Sequence, residues 1–176
     1  LGTLNNNSGA SSSPYYTFYN AVSVPDLSQS GIASIAVTFG LDSSQFAAVW
    51  IDFNQNGTFE TGEGAVSGAV GANGTTTINI PVPVGAILGN TRMRVRGGDN
   101  SVLTTSQSCG PSGSGRGETE DYIVNITTPI SLTNGPGGVM SNLQLWFRSD
   151  LLNGTTTVAD NTAVATWKTQ ARGTEA

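Results

Sequence analysis

The chain has 176 residues, 37% of them apolar and only 11% charged, with 23 glycines, a formal net charge of -5, one cysteine and no histidine. The low charge excludes long salt-bridged helices and coiled coils, and the missing histidine excludes Ser-His-Asp and Cys-His nucleophilic sites and imidazole-based metal centres. One cysteine leaves no internal disulfide or four-cysteine zinc site, and the acidic balance argues against nucleic acid and anionic membrane surfaces as partners.

Taken in chain order, residues 1–14 are Ser/Asn-rich and read as a flexible N-terminal segment. Strands are expected near 15–20, 32–39, 46–53, 75–80, 91–97 and 119–127. There apolar residues recur with a period of two, as in Ile35, Val37, Phe39 and in Val49, Ile51, Phe53. No segment carries a helical apolar stripe, and no apolar run of 18 residues could span a bilayer. The fold class expected is all-β: an antiparallel β-sandwich of Ig-like or jelly-roll type over 15–128. Residues 98–117 form a Gly/Ser-rich loop holding Cys109, and Pro- and Gly-rich residues 129–138 form a linker. Residues 139–176 add a short C-terminal β extension from a second, incomplete domain. The chain opens on Leu1 without an initiator Met, and is read as a mature or excised piece of a longer protein.

The strongest chemical signal is the run DFNQNGTFETGE at 52–63. It fits the twelve-position spacing of a calcium loop, D-x-[DN]-x-[DN]-G-x5-E. Asp52, Asn54 and Asn56 alternate and can turn inward together. Gly57 permits the reversal, the Thr58 carbonyl can point back, and Glu63 can close the shell with both oxygens. A strand leads into this run, so it would be a calcium turn in a β protein and not half of an EF-hand pair. Two readings stay open: a weakly bound Ca²⁺, or an Asx-rich hairpin turn held by its own hydrogen bonds.

Arg92, Arg94 and Arg96 fall on one strand face, because side chains alternate. Glu118, Glu120 and Asp121 are the expected counter-charges, and one or more of them could instead complete the calcium shell from across the sheet. Glu118 and Glu120 as a glycosidase acid and base are set aside, since nothing else marks a sugar cleft. Cys109 has neither His nor clustered Lys near it in sequence, and carries no nucleophile reading. No catalytic residue is assigned, and the chain is expected not to be an enzyme.

The stretches VWIDFNQNGTFETGE at 49–63, IPVPVGAILGNTRMRVR at 80–96 and GRGETEDYIVNI at 115–126 resemble the GEVED domain. Gly117, Glu118, Thr119, Glu120 and Asp121 match the motif that names it, with Thr for Val. The loop departs at Asn56, where an Asp is common. The resemblance covers residues 10–128 and implies a β-sandwich module of large secreted or surface-anchored bacterial proteins, often of the Bacteroidetes type, many of them exported by type IX secretion. LWFRSD and ATWKTQ in the tail resemble the start of a concanavalin-A/laminin-G-like domain. The function implied is a non-catalytic, calcium-stiffened spacer or presentation domain of a surface adhesin or filament. Its partners would be neighbouring domains of the same chain, a surface glycan or protein, and the secretion machinery. The competing expectations are a carbohydrate- or protein-binding module and an accessory domain of a secreted protease or glycoside hydrolase.

Overall fold

The computed structural model describes residues 1–9, 12–110 and 116–129, with the backbone of 151–152 and 156–157. The chain divides into two compact units, Leu1–Pro129 and Ile130–Ala176. In the second unit the described residues are two short strands, Leu151–Leu152 and Thr156–Thr157, paired antiparallel. Nearly all of the expected linker and the two motifs of the tail, with Trp146 and Trp167, lie outside the described residues.

The first unit is a β-sandwich. Its strands are β1 (Tyr16–Tyr19), β2 (Asp26–Ser28), β3 (Ile32–Thr38), β4 (Gln45–Ile51), β5 (Gly64–Val66), β6 (Thr75–Pro81), β7 (Gly89–Asp99) and β8 (Thr119–Thr127). One sheet has the order β1-β8-β7-β4-β5, with β2 also on β8, and the other, among the described residues, pairs β3 with β6. The six strands read from the apolar alternation are all present. The two that the alternation misses, β2 and β5, are three residues long, too short to show a period of two.

The expectation of an antiparallel sandwich needs one correction. β1 and β2 both run parallel to β8, with Tyr16 opposite Thr119 and Asp26 opposite Asn125. Parallel neighbours need a long connection, and here the whole sandwich intervenes between them in sequence.

Alternation sets the layers. Ala33, Ile35, Ile78 and Ile80 from the small sheet meet Ala47, Val49, Ile51, Met93, Val95, Tyr122, Val124 and Ile126 from the large one. The central strand β4 is buried on both faces, since Ala48 and Trp50 form a second cluster outside the sheet with Leu103. Loop residues 101–110 cover that face: Leu103 packs there, and Thr105 O accepts from Trp50 Nε1 at 2.9 Å. Gly64 lies flat on the indole, where a Cβ would come within 2.4 Å of Trp50 Cδ1. At the N-terminus, expected to be mobile, Leu1 and Leu4 pack against the main core. They are the two leucines of a largely polar stretch.

Candidate functional site

Two assemblies of charged side chains stand out on the large sheet. The first is the loop that leaves β4. Asp52 and Glu63 are both buried, at 5% and 7% exposure, and each uses both carboxylate oxygens on backbone donors. Asp52 Oδ1 accepts from Asn56 N at 3.1 Å and Oδ2 from Gly57 N at 3.0 Å. Glu63 Oε1 accepts from Phe53 N at 2.8 Å and Asn54 N at 3.3 Å, and Oε2 from Glu60 N at 3.1 Å. The chain can turn this tightly because Gly57 sits at φ 83°, a conformation open to glycine at little cost.

The neutral side chains continue the same pattern. Asn54 Oδ1 accepts from Asn56 N, and Asn56 Oδ1 from Thr58 N and Thr58 Oγ1. The structure thus brings Asp52, Asn54, Asn56, Thr58 and Glu63 into one hydrogen-bonded turn.

It also adds a residue missed in the sequence. Glu60 accepts from Asn56 Nδ2 at 2.6 Å, from Thr58 Oγ1 at 3.0 Å and from Asn54 Nδ2 at 3.3 Å. Glu60 occupies the ninth position of the same twelve-residue spacing, where calcium loops often carry a ligand that acts through water, so the signal was present.

Glu60 and Glu63 interact, and their acidities diverge. Hydrogen bonds from Glu63, Asn56, Thr58 and Asn54 hold exposed Glu60 down at about 2. Burial, and then the neighbouring Glu60, push the Glu63 carboxyl above its usual range. Among the described residues no salt bridge reaches Asp52, Glu60 or Glu63. The donor chemistry, all oxygen with three carboxylates, is that of a hard-cation site. In the arrangement described, however, those oxygens point at backbone N–H groups, and among the described residues no three His, Cys, Asp or Glu side chains converge to hold a metal.

The second assembly is the outer face of β7 and β8. Arg94 donates to Asp121 through both arms of its fork, Nε to Oδ1 at 2.7 Å and Nη2 to Oδ2 at 2.9 Å. Arg92 Nη1 lies 3.4 Å from the same Oδ2, and Tyr16 Oη donates to it at 3.0 Å. Asp121 has no solvent exposure. Its hydrogen bond is the main reason the Arg94 pKa is raised. The guanidinium of Arg92 stacks on Phe18 at 4.4 Å and that of Arg94 on Phe59 at 4.8 Å.

The expected pairing of three arginines with three carboxylates is therefore corrected. Asp121 lies on the arginine face, whereas alternation along β8 sends Glu120 to the opposite side with Tyr122. With both oxygens of Asp121 taken by arginine and tyrosine, that carboxylate is committed here. Glu118, Glu120 and Asp121 do not converge on one centre.

Arg96 is bonded instead to Thr119 Oγ1 at 3.1 Å and to the carbonyls of Gln107 and Gly110. Burial, followed by repulsion from Arg94, lowers its pKa. Arg94 Nη1 adds Ser108 O at 2.9 Å and Cys109 Sγ at 3.3 Å. Two arginines thus clamp the loop that covers Trp50, a role not visible in the sequence, where the loop's carbonyls carry no signature. Cys109 is exposed and unpaired by disulfide.

The motif at 117–121 acquires a physical reading. Gly117 stands at φ 135°, and a Cβ there would lie 2.0 Å from Gly97 O. Only glycine lets β8 enter the sheet this close to β7, with Gly97 N donating to Glu118 O at 2.9 Å. Asp121 then meets the arginines and Glu120 faces inward.

Residues 46–125 match the GEVED domain family. The matched stretch runs from β4 into β8 and contains both assemblies, while β1, β2 and β3 lie before it. No curated protein and no solved structure matches the chain.

Proposed function

We propose that this chain is a non-catalytic module of a large secreted or surface-anchored bacterial protein, serving as a spacer or presentation domain whose loop 52–63 is stiffened by Ca²⁺. One observation carries the cation: three carboxylates, Asp52, Glu60 and Glu63, share one turn with two Asn side chains and Thr58, and no cationic side chain balances them among the described residues. Asp52, Asn54, Asn56, Thr58 and Glu63 would supply the ligands, with Glu60 at the edge. A bound cation would offset the negative charge of the loop and tie the end of β4 to the start of β5.

The spacer role is supported by what the rest of the charge is used for. The arginine row and Asp121 brace the sheet and its covering loop, and the sequence contains no histidine. The match to the GEVED family is consistent with a multidomain parent of Bacteroidetes type exported by type IX secretion. In that reading, residues 139–176 begin a concanavalin-A/laminin-G-like domain.

Thermal unfolding in calcium, in magnesium and in a chelator tests the proposal. With calcium about tenfold or more above Kd, linkage adds about 1–3 kcal/mol, a rise of several degrees. Magnesium, which demands a smaller octahedral shell, should give less. Equal melting in all three would contradict the calcium-stiffened reading.

A further inference from the structure

The small sheet of the sandwich has an open edge. β6 pairs with one side of β3, and among the described residues no strand pairs with the other. Antiparallel partners exchange hydrogen bonds at every second residue. Val82 N donates to Gly31 O at 2.9 Å and Phe39 N to Gly74 O at 3.0 Å, so the odd-numbered residues of β3 are the ones bonded to β6. The N–H and C=O groups of Ser34, Ala36 and Thr38 therefore point the other way, along the open edge. Exposed edges are ordinarily blunted by charge, proline or a bulge. The sequence of β3, IASIAVT, contains no proline and no charged residue, and its register runs unbroken from Ile32 to Thr38.

The same edge borders an incompletely covered part of the core. Ala33 and Ile35 are buried, whereas Val37 and Phe39, next in the same alternation, are only half-buried. Beside them lies a cleft of about 1330 Å³, lined by Met93, Val95 and Tyr122 of the large sheet and by Ala36 and Thr38 of the open edge. Small-molecule pockets ordinarily measure roughly 300–1000 Å³, so the space exceeds what a small ligand needs.

Charge narrows the occupant. Asp42, Asp99, Glu118 and Glu120 line the cleft against Arg116 and the Leu1 ammonium, a formal excess of negative charge.

We propose that the open edge of β3 receives an extended strand of a second polypeptide, one with apolar side chains at alternate positions and basic residues between them. Its main chain takes up the free groups of Ser34, Ala36 and Thr38, and its apolar side chains turn into the cleft over Val37, Val95 and Tyr122. The edge and cleft share no residue with loop 52–63, so this binding is independent of calcium there.

Amide hydrogen exchange and ¹H–¹⁵N NMR on the full 176-residue chain test it, with the capped heptapeptide TVKVTVK, its block isomer TTKKVVV and the acidic analogue TVEVTVE. Saturable shifts at Ala36, Val37 and Val95 are expected with TVKVTVK. Exchange at Ala36 and Thr38 should slow on the order of tenfold, the worth of a hydrogen bond. The block isomer and the acidic peptide should bind about tenfold more weakly or less. Ala36→Pro removes an edge donor without taking a bond from β6, and should abolish binding while leaving the melting temperature close to its starting value. Backbone N-methylation of the peptide makes the same test without a variant: methyl groups on one alternate set of amides should abolish binding, and on the other set should leave it intact. No saturable shift with TVKVTVK, unchanged exchange at Ala36 and Thr38, equal binding of the block isomer or the acidic peptide, full binding by a folded Ala36→Pro, or equal binding of the two methylated peptides would overturn the proposal. Self-association that protects the same amides while no peptide binds would assign the edge to a second copy and overturn it as well.

Discussion

The loop at 52–63 and the arginine face of β7–β8 solve the same problem, a buried carboxylate, in different ways. Asp121 is neutralised by guanidinium groups held on a rigid strand ladder. Asp52 and Glu63 are solvated by backbone N–H groups of their own turn and are left without a counter-charge. The first arrangement leaves no unbalanced negative charge. The second retains net negative charge in a small volume, and that difference makes the loop, and not the arginine face, the place to look for a cation.

Breaking each side of this contrast should give effects of different size. The largest is expected from Asp121→Ala. It leaves Arg94, whose side chain is only 14% exposed, without its partner, and breaking one half of a buried pair costs about 3–5 kcal/mol. Urea unfolding measures it, and a loss below about 1 kcal/mol would show that the guanidinium finds water instead.

Glu63→Ala comes next. Three backbone donors at Phe53, Asn54 and Glu60 lose their acceptor, at roughly 1–3 kcal/mol for buried groups left unsatisfied. The same variant should abolish any calcium-dependent rise in melting temperature. A full response in Glu63→Ala would remove Glu63 from the ligand set.

Gly117→Ala should cost about 1–3 kcal/mol, the usual penalty for forcing an atom into a packed backbone contact. It tests whether the close approach of β8 to Gly97 is as tight as the geometry states. A neutral result would mean that the entry to β8 relaxes freely.

The smallest effect concerns acidity. Glu60 is held near 2 against an ordinary 4.5, so its contribution to stability is present above about pH 4.5 and is lost as pH falls toward 2. The melting-temperature gap between the unsubstituted chain and Glu60→Gln should therefore narrow over that range. Glu63 is shifted the other way: its contribution is present below its ordinary value and lost as pH rises through the raised one. Side-chain ¹³C titration should give two separated midpoints, and coincident midpoints near 4.5 would sink the coupling.

The sandwich was legible because apolar residues recur with a period of two along most of its long strands. Ile35, Val37, Val49, Ile51, Val124 and Ile126 announce their faces without further help. The loop was legible because its oxygens follow a fixed spacing with Gly57 at the reversal. Glu60 escaped notice although it lies in that spacing. The pairing of β1 and β2 with β8 was hidden, since nothing local encodes a partner about a hundred positions away in sequence. The arginine face was half legible: period two put the three guanidiniums together, and the same rule applied to β8 would have separated Glu120 from Asp121. Their carbonyl partners at Gln107, Ser108 and Gly110 have no sequence signature.

Isothermal titration of calcium into the chain tests the central claim most directly. The account predicts one ion per chain with Kd on the order of 10⁻⁴–10⁻³ M, as for extracellular modules, with protons released in the pH range where Glu63 is still protonated and binding lost in Glu63→Ala. No saturable heat up to about 10 mM calcium, well above that Kd range, or full binding retained in Glu63→Ala, would contradict it.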